Sequence, residues 1–172
     1  MNSVQISTIL KQVLPKQFGG VFPADCLPSK SEIQEKPKAF VANTHKHNLP
    51  GEHWVCFYFP VQGPNEYFDS YGLAPWIQEF KVFLGNSYMR SSKTLQSLNS
   101  DVCGQYCIFF LLMRIRKCSM QNILNMFSTN RVENDNIVKT FCDSLQVNYR
   151  AAQNKTCQCC KRHLIVKNAI EI

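Results

Sequence analysis

Residues 95–107 read "LQSLNSDVCGQYC" and run directly into "IFFLLM" at 108–113. A polar approach, a Cys-Gly pair at 103 and 104, and then one of the most apolar runs of the chain predict a buried helix over 104–117 that opens at a cysteine. A buried structural cysteine has no need of Gln96 seven residues before it, and a disulfide cysteine has none either. A thiol attacks carbonyls only as thiolate, and the unpaired N–H groups and dipole of a helix N-terminus favour that anion. Cys103 is therefore read as a nucleophile. The same N–H groups form half of an oxyanion hole, with Gly104 admitting a substrate backbone and the side-chain amide of Gln96 supplying the other half.

A nucleophile of this kind requires a base. Of the four histidines, His53 alone stands at the mouth of a well-defined strand, "HWVCFYF" over 53–59. That run is continuously apolar and aromatic, as in a strand buried on both faces. "PVQGPN" makes a turn, and "EYFDSYG" over 66–72 pairs back as the next strand, closed by Gly72. Asp69, near its end, is placed to accept the second N–H of the imidazole. Each residue has an ordinary alternative taken singly: a surface or core histidine, an Asp in a turn, a cysteine beside a helix start. Only the joint order of His, Asp, Gln and Cys-Gly points to chemistry.

Outward from this centre, apolar residues at 6, 9, 10, 13 and 14 predict an amphipathic helix over 4–14, stopped by Pro15. Residues 18–37, rich in Gly, Pro and Ser, read as a long surface excursion, and "AFVAN" at 39–43 as a strand. Helices are expected over 75–84, 120–127 and 136–147, before a polar tail from 148 to 172. The fold class that follows is α+β, a small mixed sheet packed on a buried central helix. The organisation is a single domain over 1–147 with a basic, Cys-containing tail over 148–172.

Composition agrees with one compact domain: 172 residues, 45% hydrophobic, 12% aromatic. No run reaches the ~18 apolar residues of a membrane span, and residues 1–20 lack a basic start followed by an apolar core, so a protein that is neither membrane-bound nor secreted is expected. Nine cysteines are an odd number, and Cys56, Cys107 and Cys142 sit in apolar segments, where a reduced thiol behaves as a small hydrophobe. Nineteen Lys and Arg against 12 Asp and Glu favour a polyanionic partner or an acidic surface. The tail motif "CQCCKRH" at 157–163 offers Cys157, Cys160 and His163, with Cys159 between them, but no second ligand pair. Structural zinc takes four ligands, so no metal site is expected there.

"GEHWVCFYF", "EYFDSYG" and "LQSLNSDVCGQYCIFFL", together with "FGGVFPADCLP" and "VANT" upstream, resemble the adenain-like cysteine proteases, the adenovirus maturation protease family, and most closely those of Polinton (Maverick) elements and adintoviruses. The resemblance runs from about residue 18 to 145. It implies an adenain-like, papain-like fold with His53 as general base, Asp69 as its orienter, Gln96 as oxyanion donor, Cys103 as nucleophile, and Trp54 and Gly104 at the substrate. Adenain itself has Glu where this chain has Asp69. The seven-residue interval from Gln96 to Cys103 matches the viral branch, the SUMO-specific proteases being generally one residue shorter.

The resemblance further implies a thiol endopeptidase that cuts capsid or core precursors after small residues such as glycine, in a virion or in the host nucleus or cytoplasm. DNA and an activating peptide are the cofactors and partners it suggests, neither being needed for the chemistry. No cysteine here matches the one that holds adenain's peptide. A SUMO-type isopeptidase and a catalytically dead nucleic-acid-binding protein are the alternatives.

Overall fold

The computed structural model describes residues 1–33 and 35–154, with the course of the backbone alone from 146 to 154. The elements in order are α1 (Ser3–Val13), β1 (Phe18–Phe22), a short 3-10 turn (Lys30–Glu32), β2 (Lys38–Asn43), β3 (Trp54–Phe59), β4 (Asn65–Phe68), α2 (Gln78–Leu84), β5 (Tyr88–Arg90), α3 (Cys103–Ile115), α4 (Met120–Asn125) and α5 (Arg131–Asn154). The fold is α+β, as expected. Five strands lie in the order β1-β2-β3-β4-β5, antiparallel about the central β3 and parallel at both edges.

β3 carries apolar side chains on both faces because both are covered. Cys56 and Tyr58 point into a core shared with α1, α3, α4 and α5. Val55, Phe57 and Phe59 point into a second core closed by α2. Phe57 there meets Phe80 and Phe83 at 5.2 and 5.1 Å, in the edge-on geometry aromatic rings prefer. α3 is buried from Cys103 through Leu112 but for Gln105, so it can open only at its ends. Its first residue, Cys103, lines one cleft with His53 and Trp54 at the start of β3 and with Asp69 just after β4.

The elements depart from the expected ones in instructive places. Residues 18–22 form a strand and not a surface excursion: "FGGVF" pairs in parallel with β2. Its glycines leave room for a ring, since a Cβ on Gly19 would stand 2.1 Å from Phe40 Cε1. The strand expected over 66–72 stops at Phe68, and the next four residues turn, with the Gly72 N–H donating to the Asp69 carbonyl at 2.9 Å. Gly72 adopts φ +72, and a Cβ there would meet the Ser92 backbone at 2.8 Å, so the turn requires glycine. α2 begins at Gln78 rather than Pro75, α5 begins at Arg131 rather than Asn136, and the helix continues through Asn154, past the expected start of the tail. Residues 155–172, including Cys157, Cys159, Cys160 and His163, lie outside the described residues. Among the described residues no helix is long and apolar enough to cross a membrane.

One buried ion pair ties the far end of α3 to the sheet. Arg114 donates to both Glu66 oxygens, Nε at 2.6 Å and Nη2 at 2.7 Å, and its guanidinium lies 4.8 Å from the Tyr58 ring centroid. Burial pushes the Glu66 carboxyl above its ordinary pKa despite the opposing pull of Arg114. Removing the cation leaves a buried charge uncompensated. Arg114→Met is therefore expected to lose ~3 kcal/mol in urea unfolding at pH 7, with the deficit shrinking at low pH as Glu66 takes up a proton. A loss below ~0.5 kcal/mol at pH 7 would show that the pair adds nothing to stability.

Candidate active site

Three segments converge at the N-terminus of α3. The first is the start of β3, which carries His53 and Trp54. The second is the turn after β4, which carries Asp69, Ser70 and Tyr71. The third is the approach to α3, which carries Gln96 and Ser100. They face a cleft of about 840 Å³ whose wall includes His53, Trp54, Asp69, Gln96 and Cys103.

Within it, His53 Nε2 lies 3.0 Å from Asp69 Oδ1. Asp69 is buried, and the same oxygen accepts the Tyr71 backbone N–H at 2.8 Å, which fixes the carboxylate before the imidazole reaches it. The Tyr71 ring flanks the imidazole at 5.0 Å between centroids. With Nε2 engaged by Asp69, Nδ1 is the ring nitrogen left for the thiol. Burial alone would lower the His53 pKa, but hydrogen bonds to Asp69 and Cys103 and the charges of both outweigh it and raise the value to about 10. Burial likewise opposes the Cys103 thiolate, yet the hydrogen bond to His53, its positive charge, and the backbone N–H groups of Trp54 and Gly104 hold the thiol below its ordinary pKa. The shifts are complementary: the site favours thiolate beside imidazolium over thiol beside imidazole.

Gln96 is wholly buried and bonded at both ends of its amide. The Ser70 hydroxyl donates to Gln96 Oε1 at 2.7 Å, and Gln96 Nε2 donates to the Ser100 carbonyl at 2.7 Å. Since an amide nitrogen carries two hydrogens, one N–H has no partner within this network, and Gln96 lines the cleft. Ser70 thus orients the amide, and its own carbonyl accepts the backbone N–H groups of Leu95 and Gln96 at 2.8 and 3.2 Å. From α5, Asp135 faces the Ser97 N–H and accepts the Tyr106 hydroxyl at 3.0 Å, while Asn134 donates to the Leu95 carbonyl at 3.2 Å. Ser70, Asn134 and Asp135 were not singled out in the sequence. Nothing in a single chain marks a serine or an aspartate as the clamp of a loop 26 or 38 residues away.

The structure brings His53, Trp54, Asp69, Gln96 and Cys103 together at one cleft. Gly104 lies beside Cys103 in the first turn of α3. Its bare α-carbon faces α1, where a Cβ would lie 3.0 Å from Ile6 Cδ1 and 3.4 Å from Met1 Cβ. A side chain at 104 would press on Ile6 of α1, and the Gly104 backbone N–H favours the Cys103 thiolate. Trp54 is held by its indole N–H, which donates to the Met1 carbonyl at 3.0 Å.

No family model and no curated protein matches this chain. Among solved structures, the chain is similar to the selenomethionine form of the ASFV pS273R protease, with 18% identity, a TM-score of 0.48, and coverage of 78% of this chain. The matched part spans 64% of that protease's length.

Proposed function

We propose that the chain is a cysteine endopeptidase. The observation that carries this reading is Cys103 at the first position of α3, in one cleft with His53, whose imidazole Nε2 is tied to buried Asp69 at 3.0 Å. The Cys103 thiolate attacks the scissile carbonyl carbon, forming a C–S bond and an oxyanion. The leftover Gln96 N–H and the N-terminal N–H groups of α3 receive that oxyanion. His53 then gives its proton to the departing amine nitrogen as the C–N bond breaks, leaving a thioester. A water molecule loses a proton to His53, attacks the thioester, and expels the thiolate, so the enzyme returns unchanged.

The proposed substrates are capsid or core precursors, cut after small residues. Trp54, pinned by the Met1 carbonyl, stands in the wall of the same cleft as Cys103, where its indole would bound the chain lying over the nucleophile. The experiment incubates the full chain with the precursors encoded beside it and maps new termini by mass spectrometry. It then compares an extended glycine-containing peptide with a folded ubiquitin-like protein bearing the same last residues. A maturation protease is expected to show similar kcat/KM for both, because it draws no binding energy from a folded body. A value ~100-fold higher for the folded substrate, worth ~2.7 kcal/mol, would make the enzyme a SUMO-type isopeptidase instead. Absence of new termini with every substrate would overturn the protease reading itself.

A further inference from the structure

A second group of ligand-type side chains lies outside the catalytic cluster. Asp25 and Cys26, in the segment after β1, meet His47, in the segment after β2. His47 Nδ1 stands 2.7 Å from Asp25 Oδ2, and the Cys26 sulfur stands 3.7 Å from Asp25 Oδ1. One sulfur, one imidazole nitrogen and one carboxylate oxygen all lie within 4.8 Å of one another. A tetrahedral zinc ion, with bonds of ~2.3 Å to sulfur and ~2.0–2.2 Å to nitrogen and oxygen, sets its donors roughly 3.3–3.6 Å apart. The separations, 2.7 Å for nitrogen to oxygen, 3.7 Å for sulfur to oxygen and at most 4.8 Å across the trio, bracket that spacing.

Two further hydrogen bonds, one of them wholly backbone, join the segments that carry these side chains. The His47 N–H donates to Asp25 Oδ1 at 2.9 Å, and the Ala24 N–H donates to the His45 carbonyl at 2.9 Å. Two loops that are distant in sequence are therefore already joined where the donors converge. An Asp-His ion pair would account for two of the three groups. It gives no use to an exposed thiol beside them, whereas sulfur, nitrogen and oxygen together are the donor set of a borderline-soft cation.

We propose that Asp25, Cys26 and His47 bind a zinc-class divalent cation, with water in the fourth position. Neighbouring Pro23 and His47 line the catalytic cleft, so the ion would fasten its rim by joining the two loops. Binding displaces the proton of the Cys26 thiol and leaves His47 neutral, so affinity rises with pH. No metal was expected from the sequence, since the trio shares no local motif.

The test uses the metal-stripped full chain carrying Cys103→Ala, so that the catalytic thiol cannot ligate, titrated with Co²⁺ and competed with Zn²⁺. A sulfur-to-cobalt charge-transfer band and the visible bands of four-coordinate cobalt are expected. Changing Cys157, Cys159 and Cys160 together to Ser should leave one equivalent of these bands in place. Cys26→Ser should abolish that equivalent, and His47→Ala should weaken it at least ~10-fold. Cys26 and His47 are exposed, so neither change threatens folding. Cobalt spectra that are absent, or that survive Cys26→Ser undiminished, would overturn the site. The readout needs no protease activity, so its failure is separate from failure of the protease reading.

Discussion

Cys103→Ala is expected to abolish turnover while leaving the fold in place. The side chain is small and 7% exposed, and what it loses on truncation is one sulfur facing a cleft, so cavity formation is slight. What the reaction loses is the atom that forms the covalent intermediate. Loss of the thiol should also be visible on its partner. Both a hydrogen bond and a charge from Cys103 help raise the His53 pKa to about 10, so the imidazole of the variant should titrate at lower pH by NMR. The sign of the linked stability follows: a histidine whose pKa rises from 6.5 to about 10 on folding stabilises the fold fully below ~6.5, and that contribution fades as pH rises through about 10. The contribution should be smaller in Cys103→Ala. A variant that retained measurable proteolysis would remove the covalent mechanism.

Alkylation of the wild-type chain separates the electrostatic cause from mere access. Cys26 is exposed and its thiol is pushed up in pKa, whereas Cys103 is buried and its thiol is pushed down. Under limiting iodoacetamide at pH 6, Cys103 should react first and activity should fall in step with its labelling. If Cys26 reacts first, access governs and the thiolate is not tuned.

The parts of this architecture legible in the sequence are those written as local apolar pattern. β3 announced burial on both faces because its two faces meet two cores, and α3 announced a central helix because nearly every position is covered. β1 was hidden by its own glycines, which read as a loop but serve the Phe40 ring. The start of α5 was hidden for the opposite reason. Val132 is exposed, and the first turn is held by the buried polar groups of Asn134 and Asp135, so no apolar stripe marks it. The meeting of His53, Asp69 and Cys103 was legible because His53 directly precedes β3, Asp69 directly follows β4 and Cys103 opens α3, whereas Gln96 lies in the connection between β5 and α3. Its supports were not, because Ser70 and Asp135 act through hydrogen bonds that join segments far apart in the chain.

Gln96→Ala is expected to lower kcat by ~10²–10³-fold, the range for one oxyanion donor, with little change in KM. The donor is needed only once the carbonyl oxygen carries charge, so its removal should fall on the transition state and spare ground-state binding. A residue that served only as an oxyanion donor would be expendable for folding. Its surroundings argue otherwise, since truncation strands the Ser70 hydroxyl and the Ser100 carbonyl in a buried site, at a cost of ~1–3 kcal/mol. Urea unfolding measured beside kcat separates the two effects. In Gln96→Glu the carboxylate still accepts from Ser70, but it offers no N–H, faces the Ser100 carbonyl without a hydrogen, and sets a negative charge where the oxyanion forms. The rate of this variant should fall at least as far as that of Gln96→Ala. Ser70→Ala, by contrast, keeps the amide and removes only the hydroxyl that orients it, so kcat should fall by a smaller factor, ~10-fold, again at nearly constant KM. A folded Gln96→Glu with wild-type kcat would leave the seven-residue interval before Cys103 without the catalytic meaning given to it here.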